Sequence, residues 1–298
     1  MHAAIEATHA VVTLDVGLPG IVWGWIITMN MWAKSIGTGV IFMLFYLLKK
    51  YPNEAGYLRF PVMAVSLAFI HIFLLFTVID LHQMFRFWHI FAHPHLTSAI
   101  TVGAWIVTGL VGLLGLMTFA VFIKKDTATF DKLLPWAVVV SIPVTLYTAA
   151  IMAEATAREL WQMPTEAVQM ILAALLTGSG TLILMGKKLP YEAKRDLGIV
   201  LGLSAAMSFL LYMSEMVFGP MKAEEVIATL QAVKGAGQYT TMFWIGQIMA
   251  YIVPMVLIFL SVTGKNENFL KLAAVLAIAG LWIVKHVWLV IPQLLNLS

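Results

Sequence analysis

The chain has 298 residues, of which 61% are apolar and only 11% charged, whereas a soluble domain carries about 25% charged residues. A water-soluble globular fold is therefore excluded, and the length suits about eight membrane spans of roughly 20 residues each. The net charge of +3 gathers in no basic cluster longer than a loop-end pair, which argues against nucleic-acid binding. Because the sequence has no cysteine, the chain itself offers neither a disulfide nor a thiolate ligand for an iron–sulfur cluster.

Eight apolar stretches follow a polar lead-in over residues 1–20. Backbone polar groups inside lipid must be bonded within their own segment, so stretches of this length predict helices rather than the short alternating strands of a membrane barrel. The predicted spans are Ile21–Leu48, Phe60–Asp80, Leu96–Ile123, Leu133–Glu154, Val168–Met185, Leu197–Phe218, Met242–Ser261 and Phe269–Ile291. The sequence thus predicts an all-α polytopic membrane protein, with one four-helix bundle over residues 21–160 and a second over residues 161–298.

Glycines interrupt several of the predicted spans. They are Gly37, Gly39, the glycines from Gly109 to Gly115, Gly178, Gly180, Gly198 and Gly202. Small residues at such positions are typical of helices that pack closely in a membrane.

The distribution of Lys and Arg predicts the orientation of the chain. Twelve of the 18 Lys and Arg residues fall in the connections after spans one, three, five and seven, four fall on the opposite side, and two lie within spans. Basic residues are enriched on the cytoplasmic side of membrane proteins. Both termini are therefore predicted on the outer, periplasmic side of a cell membrane.

Polar and charged residues inside the spans are costly and mark candidate functional positions. They are Asn30, Lys34, His71, Asp80, Tyr147, Glu154, Glu215, Lys285 and His286. At 1.5 Å per helical residue, Asn30 lies about 14 Å and Tyr147 about 10 Å below the outer surface, and Asp80 ends its span there. These three residues are therefore predicted to converge in the outer half of the first four helices.

Lys34 follows Asn30 by four residues, so both occupy one face of the first helix. Two interpretations of Lys34 stay open: a structural hydrogen bond or ion pair, and a group that handles protons or orients a substrate. His71 is half a turn away from the face of Asp80, which favours a hydrogen-bonded structural histidine. Partial solvation is the simplest explanation for Glu154 and Glu215, and Lys285 and His286 are predicted within snorkelling reach of the surface.

The connection Leu81–His95 is rich in aromatic residues and histidine. It is either an interfacial aromatic belt or a docking face for a partner on the outer side, and the two interpretations have equal support.

Several motifs resemble those of the NrfD/polysulfide-reductase membrane-subunit family. They are Trp23–Trp25 with Trp32–Gly39 in the first helix, Val78–His82 with Phe85–His89, Ser98 and Gly103–Trp105 around the second and third helices, and Leu146–Thr148 before Trp161. The resemblance covers most of the chain, although its specific motifs lie between residues 23 and 161.

The resemblance implies a quinone-reactive membrane anchor of a multi-subunit oxidoreductase. Such a subunit binds menaquinone or ubiquinone as a substrate, holds no covalent or metal cofactor, and does not itself convert the terminal substrate. Its partners are an outer-side iron–sulfur electron-transfer subunit, docking here at Arg86, Trp88 and His89, and a molybdopterin-type catalytic subunit. By motif, the quinone site falls on Asn30, Asp80 and Tyr147, with Asp80 as the residue for proton transfer, and Lys34 is a further candidate for quinone binding.

Three features depart from the family pattern. Asn30 stands where the polysulfide reductase branch has a histidine, Ile27 replaces a polar residue one turn earlier, and Lys34 is an added charge. Lys34 is therefore a candidate to replace the lost hydrogen bond.

Two other functions stay open, a haem b anchor with histidine ligands and a secondary transporter of a small solute or ion.

Overall fold

A computed structural model describes residues 20–81 and 83–295 of the chain. The predicted lead-in lies outside this part except for Gly20, and so does His82 of the second-helix motif. The described residues are helical and contain no strand. The predicted all-α fold is therefore confirmed.

Within these described residues, eight helices are long and apolar enough to cross a membrane, and each corresponds to one predicted span. They are α1 Trp25–Lys50, α2 Arg59–Asp80, α3 Ala99–Phe122, α4 Thr127–Glu154, α5 Met163–Met185, α6 Tyr191–Phe218, α7 Thr240–Gly264 and α8 Glu267–Val290. Within α7, Ile248–Ile252 form one π-helical turn. The chain is therefore a multi-pass membrane protein.

Several spans begin before the predicted residue. α4 starts at Thr127 rather than Leu133, where the Asp126 side chain accepts a hydrogen bond of 3.0 Å from the Thr129 backbone. α6 starts at Tyr191 rather than Leu197, with a first turn that contains charged residues. A first turn that is capped, as in α4, or charged, as in α6, extends the helix beyond its apolar residues, so an apolar window alone places the boundary too deep.

The most buried spans are α1, α5 and α8. α1 packs against α2, α4, α5 and α8, whereas α3 packs against α2 and α4. α5 to α8 pack on one another in turn. These contacts are consistent with two groups of four helices joined along α1, α5 and α8, and the division of the chain at residue 161 stays a prediction.

Helices α1 and α5 cross at a pair of glycines. A Cβ atom added to Gly39 would lie 2.0 Å from the Ala174 carbonyl oxygen, and one added to Gly178 would lie 2.2 Å from the Gly39 carbonyl oxygen. The close packing predicted from these glycines is confirmed here. On α3 it is wrong, because Gly109, Gly112 and Gly115 have no neighbouring atom within 4 Å of such a Cβ.

The beginning and the end of the described chain are tied together by side chains. The Gln293 amide oxygen accepts hydrogen bonds from the backbones of Val22 and Trp23, at 3.1 and 2.9 Å, and its nitrogen donates to the Trp23 carbonyl. The Glu154 carboxylate at the end of α4 accepts from the Ala99 backbone at the start of α3. Glu154 is exposed, as expected from its position at the end of a span, and it also caps the first turn of α3.

Candidate functional site

Asn30 ties α1 to α2. Its side chain is buried, and its amide nitrogen donates to the Phe73 carbonyl oxygen at 3.2 Å and to the Thr77 hydroxyl at 2.6 Å. The Thr77 hydroxyl in turn donates to the same Phe73 carbonyl, at 2.9 Å. Asn30 is therefore held in one orientation by the backbone and a side chain of the neighbouring helix.

Lys34 lies one turn further along the same face of α1 and is fully buried. Its ammonium group donates to the Thr148 hydroxyl and lies 5.3 Å from the Tyr147 ring centroid and 5.9 Å from that of Phe73. Within residues 20–81 and 83–295 no carboxylate forms an ion pair with it, while the charge of Lys285 acts on it. The ammonium is thus stabilised by a hydroxyl and two aromatic faces.

Tyr147 and Asp80 complete the same cluster. The Tyr147 ring packs edge to face on Phe73, with centroids 6.1 Å apart, and its edge lies directly against Gly103 of α3. The half-buried Asp80 lies close enough for its charge to act on Tyr147. We call Asn30, Lys34, Phe73, Asp80 and Tyr147 the Phe73 cluster.

All four residues that the sequence singled out for quinone chemistry belong to this cluster. They come from three helices, α1, α2 and α4. Lys34 and Tyr147 contact the ring of Phe73, which the sequence did not mark, Asn30 contacts its backbone carbonyl, and Asp80 acts on Tyr147 through its charge. The cluster offers hydrogen-bond donors, an acceptor and a carboxylate within a largely apolar setting. This combination suits a small ring with polar oxygens.

Two cavities formed by described residues lie at the connection between α4 and α5, with volumes of about 330 and 370 Å³. Both are lined by Arg158 and Trp161, and the larger is also lined by Trp23, Glu154 and Gln293. The Trp23 and Trp161 rings stack with centroids 5.3 Å apart. Neither cavity is lined by a member of the Phe73 cluster. Both lie at the C-terminal end of α4, about two helical turns beyond Tyr147.

The residues predicted to dock a partner are exposed. Arg86, Trp88 and His89 lie on two short helices, Met84–Arg86 and His89–Ala92, in the connection between α2 and α3. Phe85 beside them is 88% exposed. The docking role of this surface stays a prediction, as does the alternative of an aromatic belt.

The structure reveals a buried pair of charged residues outside the Phe73 cluster, of which the sequence marked only Lys285. Glu166 in the first turn of α5 is buried and accepts a hydrogen bond of 3.0 Å from the Trp288 indole. Lys285 is also buried, with its ammonium 3.3 Å from the Met170 sulfur, and its charge acts on Glu166. The expectation that Lys285 snorkels was wrong, because its face of α8 packs against α5 rather than lipid.

A sequence signal for this pair does exist. Glu166 is followed by Gln169 and Met170, three and four residues later, which places them on one helix face. The apolar window began only at Val168 and so assigned Glu166 to the preceding connection.

The two histidines within spans occupy different surroundings. His71 is exposed on α2 and its Nδ1 pairs with the Leu67 carbonyl at 2.7 Å, which agrees with the structural role expected for it. His286 stacks on Trp282 and pairs with the Thr28 hydroxyl at 3.0 Å. In the part of the chain that the structure describes, no group of three His, Cys, Asp or Glu residues could hold a metal ion.

The fold and the Phe73 cluster define a polytopic helical membrane protein with a polar site buried among its first four spans. The family model described as "Polysulphide reductase, NrfD" matches residues 17–296, nearly the whole chain. The chain therefore belongs to the NrfD family, and the resemblance seen in its motifs is confirmed. This family comprises membrane subunits of quinone-reactive oxidoreductase complexes. No curated protein matches the chain.

Proposed function

We propose that this subunit exchanges electrons between the quinone pool and an iron–sulfur subunit bound on the outer face of the cell membrane. A molybdopterin-type catalytic subunit then converts the terminal substrate. The observation that carries the proposal is the cluster that Asn30, Lys34 and Tyr147 form at Phe73, with the charge of Asp80 acting on Tyr147, in a chain of the NrfD family.

The cluster has the groups that quinone chemistry needs. A quinone oxygen requires a hydrogen-bond donor, which the Tyr147 hydroxyl or a remaining N–H of Lys34 supplies. Oxidation of a quinol releases two electrons and two protons, so a proton acceptor with access to water is needed. Asp80, half buried at the outer end of α2, suits that role as a general base.

The electrons leave through a partner, because the chain has no cysteine to ligate a cluster. Asp80 directly precedes the connection that carries Arg86, Trp88 and His89, so a partner on this surface lies next to the quinone site. The excess of basic residues on the opposite side supports an outer, periplasmic position for this surface and for both termini.

The test is the substitution Asp80→Asn in the assembled complex, with quinol-linked turnover as the measurement. Loss of a general base lowers turnover by about 100-fold or more, while subunit assembly stays normal. Glu224→Gln is the matched control, since Glu224 is an exposed carboxylate at the start of the outer helix Glu224–Gln231. Unchanged turnover in a normally assembled Asp80→Asn complex would remove Asp80 from the mechanism.

A further inference from the structure

The ammonium group of Lys34 is buried without a counter-ion among the described residues. Its side chain is fully buried, and it donates a hydrogen bond to the Thr148 hydroxyl, which carries no charge. None of the ion pairs within residues 20–81 and 83–295 includes it. A buried charge is normally paired with an opposite charge, because its removal from water is costly.

The charged residues of the neighbouring helices do not fill this gap. Lys285 on α8 adds a second positive charge, which acts on Lys34. Glu166 on α5 acts on Lys285. Asp80 on α2 acts on Tyr147, and in the part of the chain that the structure describes no ion pair joins it to Lys34. The Lys34 ammonium therefore keeps its capacity to pair with an anion.

The other contacts of this ammonium attract a cation but do not neutralise it. The group lies 5.3 Å from the Tyr147 ring centroid and 5.9 Å from that of Phe73. The faces of these rings stabilise a positive charge through their quadrupoles and carry no net charge. An ammonium has three N–H bonds, and Thr148 accepts from one of them. The others can donate to an oxygen of a ring bound in the Phe73 cluster.

The strength of that hydrogen bond depends on the charge of the ligand oxygen. Hydrogen bonds between ionised groups are roughly twice as strong as those between neutral groups. The carbonyl of an ordinary quinone is neutral, whereas a hydroxynaphthoquinone such as lawsone is a vinylogous carboxylic acid and is ionised at neutral pH. If the Lys34 amine is neutral when this acid arrives, the acidic O–H bond breaks and its proton forms an N–H bond at Nζ. The bound state is the same ion pair in both cases.

We propose that the Phe73 cluster selects quinone rings that carry an acidic hydroxyl group over neutral quinones, and that Lys34 is the residue that determines this specificity. The inference rests on the proposed function, namely that the cluster takes quinones. A hydrogen bond to a charged group contributes enough for a preference of about 10- to 100-fold in dissociation constant.

The experiment measures dissociation constants on the full chain in nanodiscs of zwitterionic lipid at neutral pH. The probes are lawsone, the methyl ether of lawsone, which cannot ionise, and menadione, a second neutral naphthoquinone. Binding is followed by calorimetry and by quenching of tryptophan fluorescence, and empty nanodiscs give the partition of each probe into lipid. The wild-type chain is expected to bind lawsone about 10- to 100-fold more tightly than either neutral probe.

Two variants separate the charge of Lys34 from its hydrogen bond. Lys34→Met removes both, and Lys34→Gln keeps an N–H donor without the charge. In each variant the preference for lawsone is expected to fall toward one, while Lys34→Gln keeps its affinity for the neutral probes. Lys124→Gln is the matched control, because Lys124 is exposed and its ammonium also lies over an aromatic ring, 5.8 Å from the Phe119 centroid.

Lys34→Gln keeps the test available if Lys34→Met does not fold. Equal or weaker binding of lawsone by the wild-type chain, with normal binding of the neutral probes, would overturn the inference and leave the proposed function standing. A purely structural role of Lys34 would weaken all three ligands alike, so an unchanged ratio in the Lys34 variants would remove this residue as the determinant. Failure of the wild-type chain to bind any of the probes would overturn the proposed function, and this inference with it.

Discussion

Gly103 controls the position of the Tyr147 ring, and Gly103→Ala is expected to displace it. A Cβ atom on Gly103 would lie 2.1 Å from Tyr147 Cδ2 and 2.4 Å from Cε2, whereas ordinary contact begins at 3.4 Å. The ring or α3 must therefore move by about 1.3 Å, the difference between the observed and the ordinary distance. Misplacement of a reacting group by about 1 Å can cost 100-fold in rate, and we expect a loss of that order in quinol-linked turnover.

The assay compares turnover of the assembled complex with the thermal unfolding of the subunit. Overpacking of this size costs about 1–3 kcal/mol, partly offset by the higher helix propensity of alanine. Gly109→Ala is the matched control on the same helix, because a Cβ atom there meets nothing within 4 Å. If Gly103→Ala keeps wild-type turnover and unfolding temperature, the contact between α3 and Tyr147 does not position the site.

Two further predictions concern stability. Gly178→Ala is expected to lower the unfolding temperature, because its Cβ atom would lie 2.2 Å from the Gly39 backbone. The expected loss of stability is about 1–3 kcal/mol. Gly112→Ala, on an open surface of α3, is the control and should leave the unfolding temperature unchanged. Partial burial raises the pKa of Glu225, so the folded chain holds this proton more tightly than the unfolded chain and loses stability as pH rises. Glu225→Gln should therefore unfold at the same temperature as the wild type at about pH 4 and at a higher temperature at about pH 7. Equal unfolding temperatures of Glu225→Gln and wild type at both pH values, or the same gain in Glu224→Gln, would contradict this prediction.

The spans could be predicted from the sequence because lipid imposes one strong rule on every segment. Each predicted stretch contains a helix, since an apolar run of this length has no other way to satisfy its backbone. The ends of the helices could not be predicted as well. The Asp126 cap lets α4 begin at Thr127, and nothing in an apolar window reports a cap.

The candidate site could be predicted only in part. Depth and the family motifs singled out Asn30, Lys34, Asp80 and Tyr147, because polar residues in an apolar span are conspicuous. The residues that hold them are not conspicuous. Phe73 is one of many apolar residues in α2, and its role arises because α1 and α4 both face it.

Glu166 and Lys285 show the same limit from the other side. Their residue types were visible in the sequence, but each lay near the end of a span, where solvation is the ordinary explanation. Only the packing of α5 on α8 places both side chains inside the molecule. The position of a charge along a helix therefore predicts its depth, whereas burial depends on which neighbouring helix covers its face.

The direction in which a hydrogen bond points is a further property that residue type does not determine. The family resemblance places a histidine where this chain has Asn30, and an imidazole can donate or accept depending on its tautomer. The Asn30 amide instead donates from its nitrogen to the Phe73 carbonyl and to the Thr77 hydroxyl. The replacement therefore changes the hydrogen bonds available at this position, and the contacts of Asn30 have to be derived from Phe73 and Thr77 rather than from the motif that they support.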